Sequence, residues 1–562
     1  MLARRSSKTV KTVELPLRPP VTPLKRGVNE RRTRGGPLYT HAASLPTIGR
    51  MAQFALATLL LASVTGLADS PSIKYLLPSA VAPGKTTEIT FFGSNLGAAT
   101  NLWTSFDAST EHIRSADDRA VFKISIPAKS STGFGAVRLA GTNGLSSFHL
   151  LMIDPLPNRP ATGTNHSLAT AQTLKLPLAV EGACQEKTSE FFKFSARKSQ
   201  SLSFEVVAQR LGSALDPLVR LLDPKGRELV FCEDTPGAGA DCRFIYKFQS
   251  SGEYVLELRD TRYEGGQQHR YRLRAGDWAL EPAPLPFHVK SEFAKPISLL
   301  PQINEIEPND LKGQEIPVPV CIIGHFQKAK DRDCFQFTAQ KDQRLVFHGK
   351  TRSLGSPCDL YLRLETADGQ KLAESPMAGA DEGNITNTFK ETSLCRLIIE
   401  EAAELSGPEC FYRVEIEPFH RGFALSVDSE KVQAPAGGSF EIKVTPERRD
   451  YDGPITLALD GAGEGFEIVT NVITAKTNAT TMKVNVPATL QPGDLIHFKI
   501  TGHAKIDGHD FVTTASTRPA LRKLFPHLLW PPAELDGWIA LGITPQSIPA
   551  QRSHPISSVT GQ

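Results

Sequence analysis

The chain has 562 residues, 40% of them hydrophobic and 22% charged, which is apolar enough for several packed cores and excludes wholesale disorder. Its formal net charge of +3 hides an asymmetry: residues 1–50 carry eleven Lys and Arg against two Glu, leaving 52 basic against 58 acidic residues in 51–562. A mildly acidic body excludes a general binder of phosphate backbones, so no nucleic-acid partner is expected.

From Met51 the sequence runs MAQFALATLLLASVTGLADSPS. The apolar run Phe54–Val64 is too short to span a bilayer, and it ends in small residues, with Gly66 and Ala68 placed as in a signal-peptidase site. Residues 1–68 therefore read as a basic leader with a secretory signal, either with a long basic n-region or with translation starting at Met51. Export to the periplasm, cell surface or medium follows, with no membrane span once the signal is removed.

Beyond the signal, helical periodicity is scarce. Segments of four to seven alternating residues recur instead (TEITFFG, AVFKISIP, LSFEVVA, YVLELRD, FEIKVTP), bounded by Gly, Pro, Asn or Asp. This pattern predicts an all-β chain of tandem β-sandwich domains. Residues 71–153 open with PSIKYLLPSAVAPGKTTEITFFGSNLG, which is similar to the start of IPT/TIG-type immunoglobulin-like domains. Residues 163–277 and 303–418 contain an internal repeat. Residues 190–229 align without a gap on 333–372 at an offset of 143, with fifteen of forty pairs identical. The pairs Phe192/Phe335, Phe194/Phe337 and Phe204/Phe347 alternate with polar residues and predict one buried strand face. Gly226 and Gly369 fall where a strand pair must turn, a place that favours positive φ. Both copies close on a similar strand, YRLRAG at 271–276 and YRVEIE at 412–417.

The string running through EFFKFSA, LSFEVVAQRLGSALDPLVRLLDPKGREL, GEYVLELRD and YRLRAG resembles the bacterial pre-peptidase C-terminal (PPC) domain. That resemblance implies a jelly-roll sandwich, usually non-catalytic, carried by secreted peptidases and large surface proteins. A Pro-rich linker (278–302) joins the two copies. Residues 419–518 alternate as a further Ig-like sandwich, and 519–562 form a tail whose Trp530 and Trp538 are expected to dock on it.

The eight cysteines all lie between Cys184 and Cys410, with no spacing suited to zinc. In an exported protein they are disulfide candidates. Cys232/Cys242, Cys321/Cys334 and Cys395/Cys410 each bracket a turn-rich stretch and can staple hairpins, which leaves Cys184 and Cys358 unassigned.

The segment NEIEPND opens the second repeat. Pro308 disfavours helix at Glu307, so Glu305 and Glu307 share one side of an extended segment that Asn309 joins and Asp310 bends toward. Four oxygen-bearing side chains around one point suit calcium and not zinc or copper. The resemblance points the same way. In the related collagen-binding domains of bacterial collagenases, such a segment and a later aspartate supply calcium ligands, which here implies Asp331 or Asp333 in KAKDRDCFQF as the distal partner. The first repeat reads TGTNHSLATAQ in this place, without glutamates. The alternative is a solvated strand that holds no ion.

No G-x-S-x-G, H-E-x-x-H, Walker A or G-x-G-x-x-G motif occurs. His497, His503 and His509 share a region, but counting through the Asp507-Gly508 turn puts His503 opposite Val512, not His509. Carboxylate pairs such as Asp331 and Asp333 at i, i+2 can imitate a glycosidase dyad, and solvated acids on a strand edge are the commoner explanation. The expected function is non-catalytic binding at the cell envelope or surface, with an envelope protein or an extracellular polysaccharide or polymer as partner. The surface expected to carry it is the loop of Arg259, Arg262 and Tyr263. The alternative is an accessory component of a secreted peptidase or polymer hydrolase.

Overall fold

In the computed structural model, residues 69–280, 285–294, 299–376 and 382–546 are described. Strands dominate, and the segment Arg518–Leu524 is the one α-helix among the described residues. No helix there is long and apolar enough to cross a membrane. The signal and leader, residues 1–68, lie outside the described residues.

The strands from Ser72 to Ile153 form two facing sheets, one of four strands and one of five. Residues 158–276 and 302–418 form two sandwiches of identical topology, each made of two five-stranded sheets. In each, the fourth strand (Glu190–Ala196; Arg332–Ala339) pairs antiparallel with a long central strand (Gly252–Asp260; Ser393–Glu401). The alternating phenylalanines account for this. Phe192, Phe194 and Phe204 are buried in one core, and Phe335, Phe337 and Phe347 in the other. Gly226 and Gly369 adopt φ of 79° and 91° at their turns, a region costly for residues with a Cβ. From Gly422 to Thr544 the strands join into one ten-stranded system. Its last strand comes from the tail: Ile539–Thr544 pairs parallel with Lys431–Pro435 and antiparallel with the start of Leu495–Ile506. Trp538 packs on Phe293 at 4.5 Å, and Trp530 lies 5.0 Å from the guanidinium groups of Arg518 and Arg522.

The modules are not strung loosely. Asp154, at the end of the first sandwich, is fully buried and accepts hydrogen bonds from Arg272 and Arg274 of the second. Glu181 accepts from Arg272 and from the Ser79 backbone and hydroxyl. The first sandwich also meets the last one directly. Arg138 forms a buried ion pair with Glu430, and Lys431 Nζ donates to the Leu145 carbonyl at 2.9 Å. Separating such a buried pair leaves an uncompensated charge, so each contact opposes displacement of the modules. The Pro-rich linker is part of the same assembly: His288 N donates to Phe134 O, Lys290 N to Ser105 O, and Phe293 sits between Trp103, His497 and Trp538. Where the modules meet, Phe134, Leu150, Leu354 and Trp530 help line a cavity of about 430 Å³.

All eight cysteines are free thiols, and all but Cys232 are buried. The expected pairing Cys395/Cys410 is not the contact present, because the thiol beside Cys410 is that of Cys358. Cys321 and Cys334 lie on strands of opposite sheets, Val320–His325 and Arg332–Ala339.

Candidate metal centre

The strand Gln302–Asn304 pairs parallel with the start of Val320–His325 and ends one residue before Glu305, so the acidic segment is a loop leaving the sheet. One more ladder bond, Glu305 N to Ile323 O, fixes where the loop departs. Glu305 then turns inward. Its Oε2 accepts from the His325 backbone N at 2.7 Å and its Oε1 from the Asn309 side-chain amide at 3.3 Å. Glu307 Oε2 accepts from the Asn309 backbone N at 2.9 Å. Asp333, second residue of the strand Arg332–Ala339, points into the same space from the facing sheet. Ligand-capable oxygens of Glu305, Glu307 and Asp333 all lie within 4.8 Å of one another. Gly324 leaves room for this. A Cβ there would stand 2.3 Å from the Tyr412 hydroxyl and 2.7 Å from Glu305 Oε2.

The electrostatics of the cluster are costly. Asp333 is fully buried, and neither of its carboxylate oxygens has a hydrogen-bonding partner; Glu307 Oε1 and the Tyr412 hydroxyl are likewise unsatisfied. Burial first, then the adjacent Glu305 carboxylate, pushes the Asp333 carboxyl up to about 9. Glu307 is also raised, by burial and by Glu305. The buried Tyr412 phenol is pushed well above its usual value, by burial and then by the charge of Asp333. Three convergent carboxylates, two of them with unsatisfied oxygens, are what a hard cation with oxygen ligands would satisfy.

The other three residues singled out in the sequence have different positions. Asn309 is buried, and its Oδ1 accepts from Cys334 N, so its side chain braces the loop against the Asp333 strand. Asp310 and Asp331 form an outer pair on Lys328, whose Nζ lies 2.6 Å from Asp310 Oδ2 and 3.4 Å from Asp331 Oδ1. The Lys328 ammonium holds Asp310 below the usual carboxylate range. Asp331 Oδ2 also accepts from the Gln327 backbone at 2.5 Å.

The residue that sequence reasoning missed is Tyr412. It pairs with Gly324 across the sheet and closes the inner wall. The signal was the alignment of YRVEIE with YRLRAG, but only strand register carries that tyrosine to the acids. The histidines do not converge: His503 falls opposite Val512, His509 opposite Ile506 and His497 opposite Ala540. His497 packs tilted against Trp103 with ring centroids 4.8 Å apart, and burial holds its imidazole down at about 3. In the loop expected to bind, Arg259 lies 4.2 Å over the Tyr263 ring and donates to the carbonyls of Asp260 and Thr261. Asp260 in turn accepts from the Arg262 and Glu264 backbones. Arg262 and Tyr263 border an open depression with Lys187, Glu264 and His269.

No family model matches the chain, and no curated protein does. Among solved structures it is similar to a candidate secreted protein of Eubacterium rectale, with 8% identity and a TM-score of 0.16 over 46% of this chain and 82% of that one. It is also similar to a DUF4785 family protein of Legionella pneumophila, with 9% identity and a TM-score of 0.13 over 34% of this chain and 59% of that one. At these scores neither likeness carries an argument about function.

Proposed function

We propose that this chain is an exported, non-catalytic binding protein of the cell envelope or surface, built on two modules of the pre-peptidase C-terminal kind, the second of which holds a calcium ion. The observation that carries the ion is Asp333: a fully buried carboxyl, both oxygens unpartnered, facing Glu305 and Glu307. Glu305, Glu307 and Asp333 would be the inner ligands, with Asp310 and Asp331 at the rim, where Lys328 now neutralises them. An all-oxygen donor set selects a hard divalent cation over zinc or copper. The ion's contribution is structural. It ties the loop from one sheet to a strand of the other and leaves the sheet faces and end loops free to meet a polymer or protein. Arg262 and Tyr263 are the exposed candidates for that contact.

Calorimetric melting of residues 69–562 with millimolar calcium and with EDTA tests the ion. Calcium is expected to raise one transition, by about 2.7 kcal/mol in stability at a hundredfold excess over its dissociation constant. Capture of envelope proteins and polysaccharides by the immobilised chain, compared with an Arg262→Ala/Tyr263→Ala variant, tests the binding reading. Equal capture by the variant would remove this loop from it.

A further inference from the structure

We infer that Cys232 and Cys242 are a reactive thiol pair that closes to a disulfide across the open edge of the first PPC-like sandwich. Cys232 ends the strand Glu228–Cys232, the edge of one sheet, and Cys242 directly precedes Arg243–Lys247, the edge of the other. The two residues lie against each other. Cys242 Sγ lies 3.1 Å from the Cys232 carbonyl oxygen, and Cys232 Sγ lies 3.9 Å from the Arg243 carbonyl oxygen and 3.6 Å from Thr235 Oγ1. The second repeat offers an independent view of the same two positions. Its strand register puts Ser375 in the place of Cys232 and Gly383 in the place of Cys242. There a Cβ built on Gly383 would stand 3.4 Å from Ser375 Oγ. Side chains at these two positions therefore meet by virtue of the fold, which is the requirement for a disulfide without backbone rearrangement.

The two thiols are unequal. Cys232 is the one cysteine of the chain that is partly exposed; Cys242 is buried. The neighbouring Cys242 thiol, followed by Thr235, stabilises the Cys232 thiolate and holds its thiol down at about 6. Cys242 is pushed far up, first by its contact with Cys232 and then by burial. Reaction with a low-molecular-weight disulfide such as oxidised glutathione follows from this inequality. The Cys232 thiolate attacks one sulfur, forming a mixed disulfide and releasing one glutathione thiolate. With the charge on Cys232 gone, the main cause raising Cys242 is removed. Cys242 then gives its proton to the departing thiolate or to water and attacks the Cys232 sulfur, which expels the second glutathione. The protein loses two electrons and two protons, and one oxidised glutathione becomes two reduced molecules.

The closed bond pins the loop 233–241. That loop carries Asp241, fully buried, which accepts from the Ala208 and Gln209 backbones and pairs with Arg210 at 2.7 Å. Its residues 237–240 form one wall of the cavity between modules. Redox state thus acts on a wall of the intermodule junction.

The test uses residues 69–562, prepared reduced, then held in oxidised glutathione, alkylated under denaturing conditions and peptide-mapped. The expected product is a Cys232–Cys242 cross-link with the other six cysteines alkylated. Cys242→Ser is expected to stop at a glutathione adduct on Cys232, and Cys232→Ser to leave Cys242 reduced. Brief maleimide labelling of the native reduced protein near neutral pH is expected to modify Cys232 alone. Recovery of Cys232 and Cys242 as free thiols after oxidation, a glutathione adduct on wild-type Cys232 that fails to close, or a cross-link to any other cysteine would overturn the inference. The labelling experiment reads the entry thiol in unmutated protein, so misfolding of either serine variant leaves the proposal testable.

Discussion

The two repeated sandwiches share their strand topology and differ sharply at one buried spot. In the second, Glu305, Glu307 and Asp333 converge beside Tyr412, above Gly324. In the first, the same backbone positions hold Ala161, Gly163, Glu190, Tyr271 and Gly182. Ala161 N makes the same ladder bond, to Glu181 O, that Glu305 N makes to Ile323 O, and Asn165 braces Phe191 as Asn309 braces Cys334. With two glutamates gone, the single remaining carboxylate, Glu190, accepts a hydrogen bond from the Tyr271 hydroxyl. One spot is a closed carboxyl–phenol pair that satisfies itself; the other leaves both Asp333 oxygens, Glu307 Oε1 and the Tyr412 hydroxyl unsatisfied. The scaffold therefore does not require an ion, and the acids of the second copy are an addition to it.

The largest effect probes what the two copies share. Phe192→Ala and Phe335→Ala remove equivalent buried rings, and each is expected to cost about 3–5 kcal/mol in its own module's calorimetric transition, with or without calcium. A marked inequality between them would break the equivalence.

Next comes the ion itself. Asp333→Asn is expected to abolish the calcium-induced gain of about 2.7 kcal/mol at hundredfold excess, while Glu190→Gln leaves it intact. Loss of the gain in Glu190→Gln would place the ion in the wrong sandwich.

Smaller is the cost of opening the closed pair. Tyr271→Phe strips Glu190 of its partner and is expected to destabilise the first module by about 1–3 kcal/mol. Tyr412→Phe removes a hydroxyl that faces Asp333 without closing a well-formed hydrogen bond and is expected to change the second module by less. Urea unfolding of both variants in EDTA checks the order.

The pH dependence sharpens the contrast further. The Asp333 carboxyl is raised from an ordinary value of 3.8 to about 9, so between those values the native state binds more protons than the unfolded chain. Stability in EDTA is therefore fully present below the lower value and declines as pH rises toward 9. Saturating calcium, which requires ionised ligands, is expected to weaken or reverse that slope, and binding to release protons. Melting profiles from pH 5 to pH 9, with Asp333→Asn as the control that flattens the EDTA slope, measure it.

Much of this was legible in the sequence because it is periodic or local. Alternating phenylalanines give strand faces directly, and the gap-free offset of 143 announces a duplicated module. NEIEPND and DRD could be singled out because the acids are dense. The division of labour within them could not be read. That Lys328, beside Asp331, also takes Asp310 eighteen residues away, and that Asn309 spends its side chain on Cys334 N, depends on how the acidic loop folds back on the second sheet. The same holds for Arg138–Glu430, 292 residues apart, and for Asp154 with Arg272 and Arg274. Arg and Asp in a strand look like surface residues until a neighbouring module covers them. Cys358 against Cys410 escaped for a similar reason, since hairpin spacing favours partners near in sequence while the sandwich brings distant edges together.

The proposed ion site of Glu305, Glu307 and Asp333 has a direct readout in binding stoichiometry. Titration calorimetry of calcium into residues 69–562, run beside Asp333→Asn, tests it most directly. One calcium is expected to bind per chain, and none to the variant. No binding at millimolar calcium, or equal binding by the variant, would contradict it.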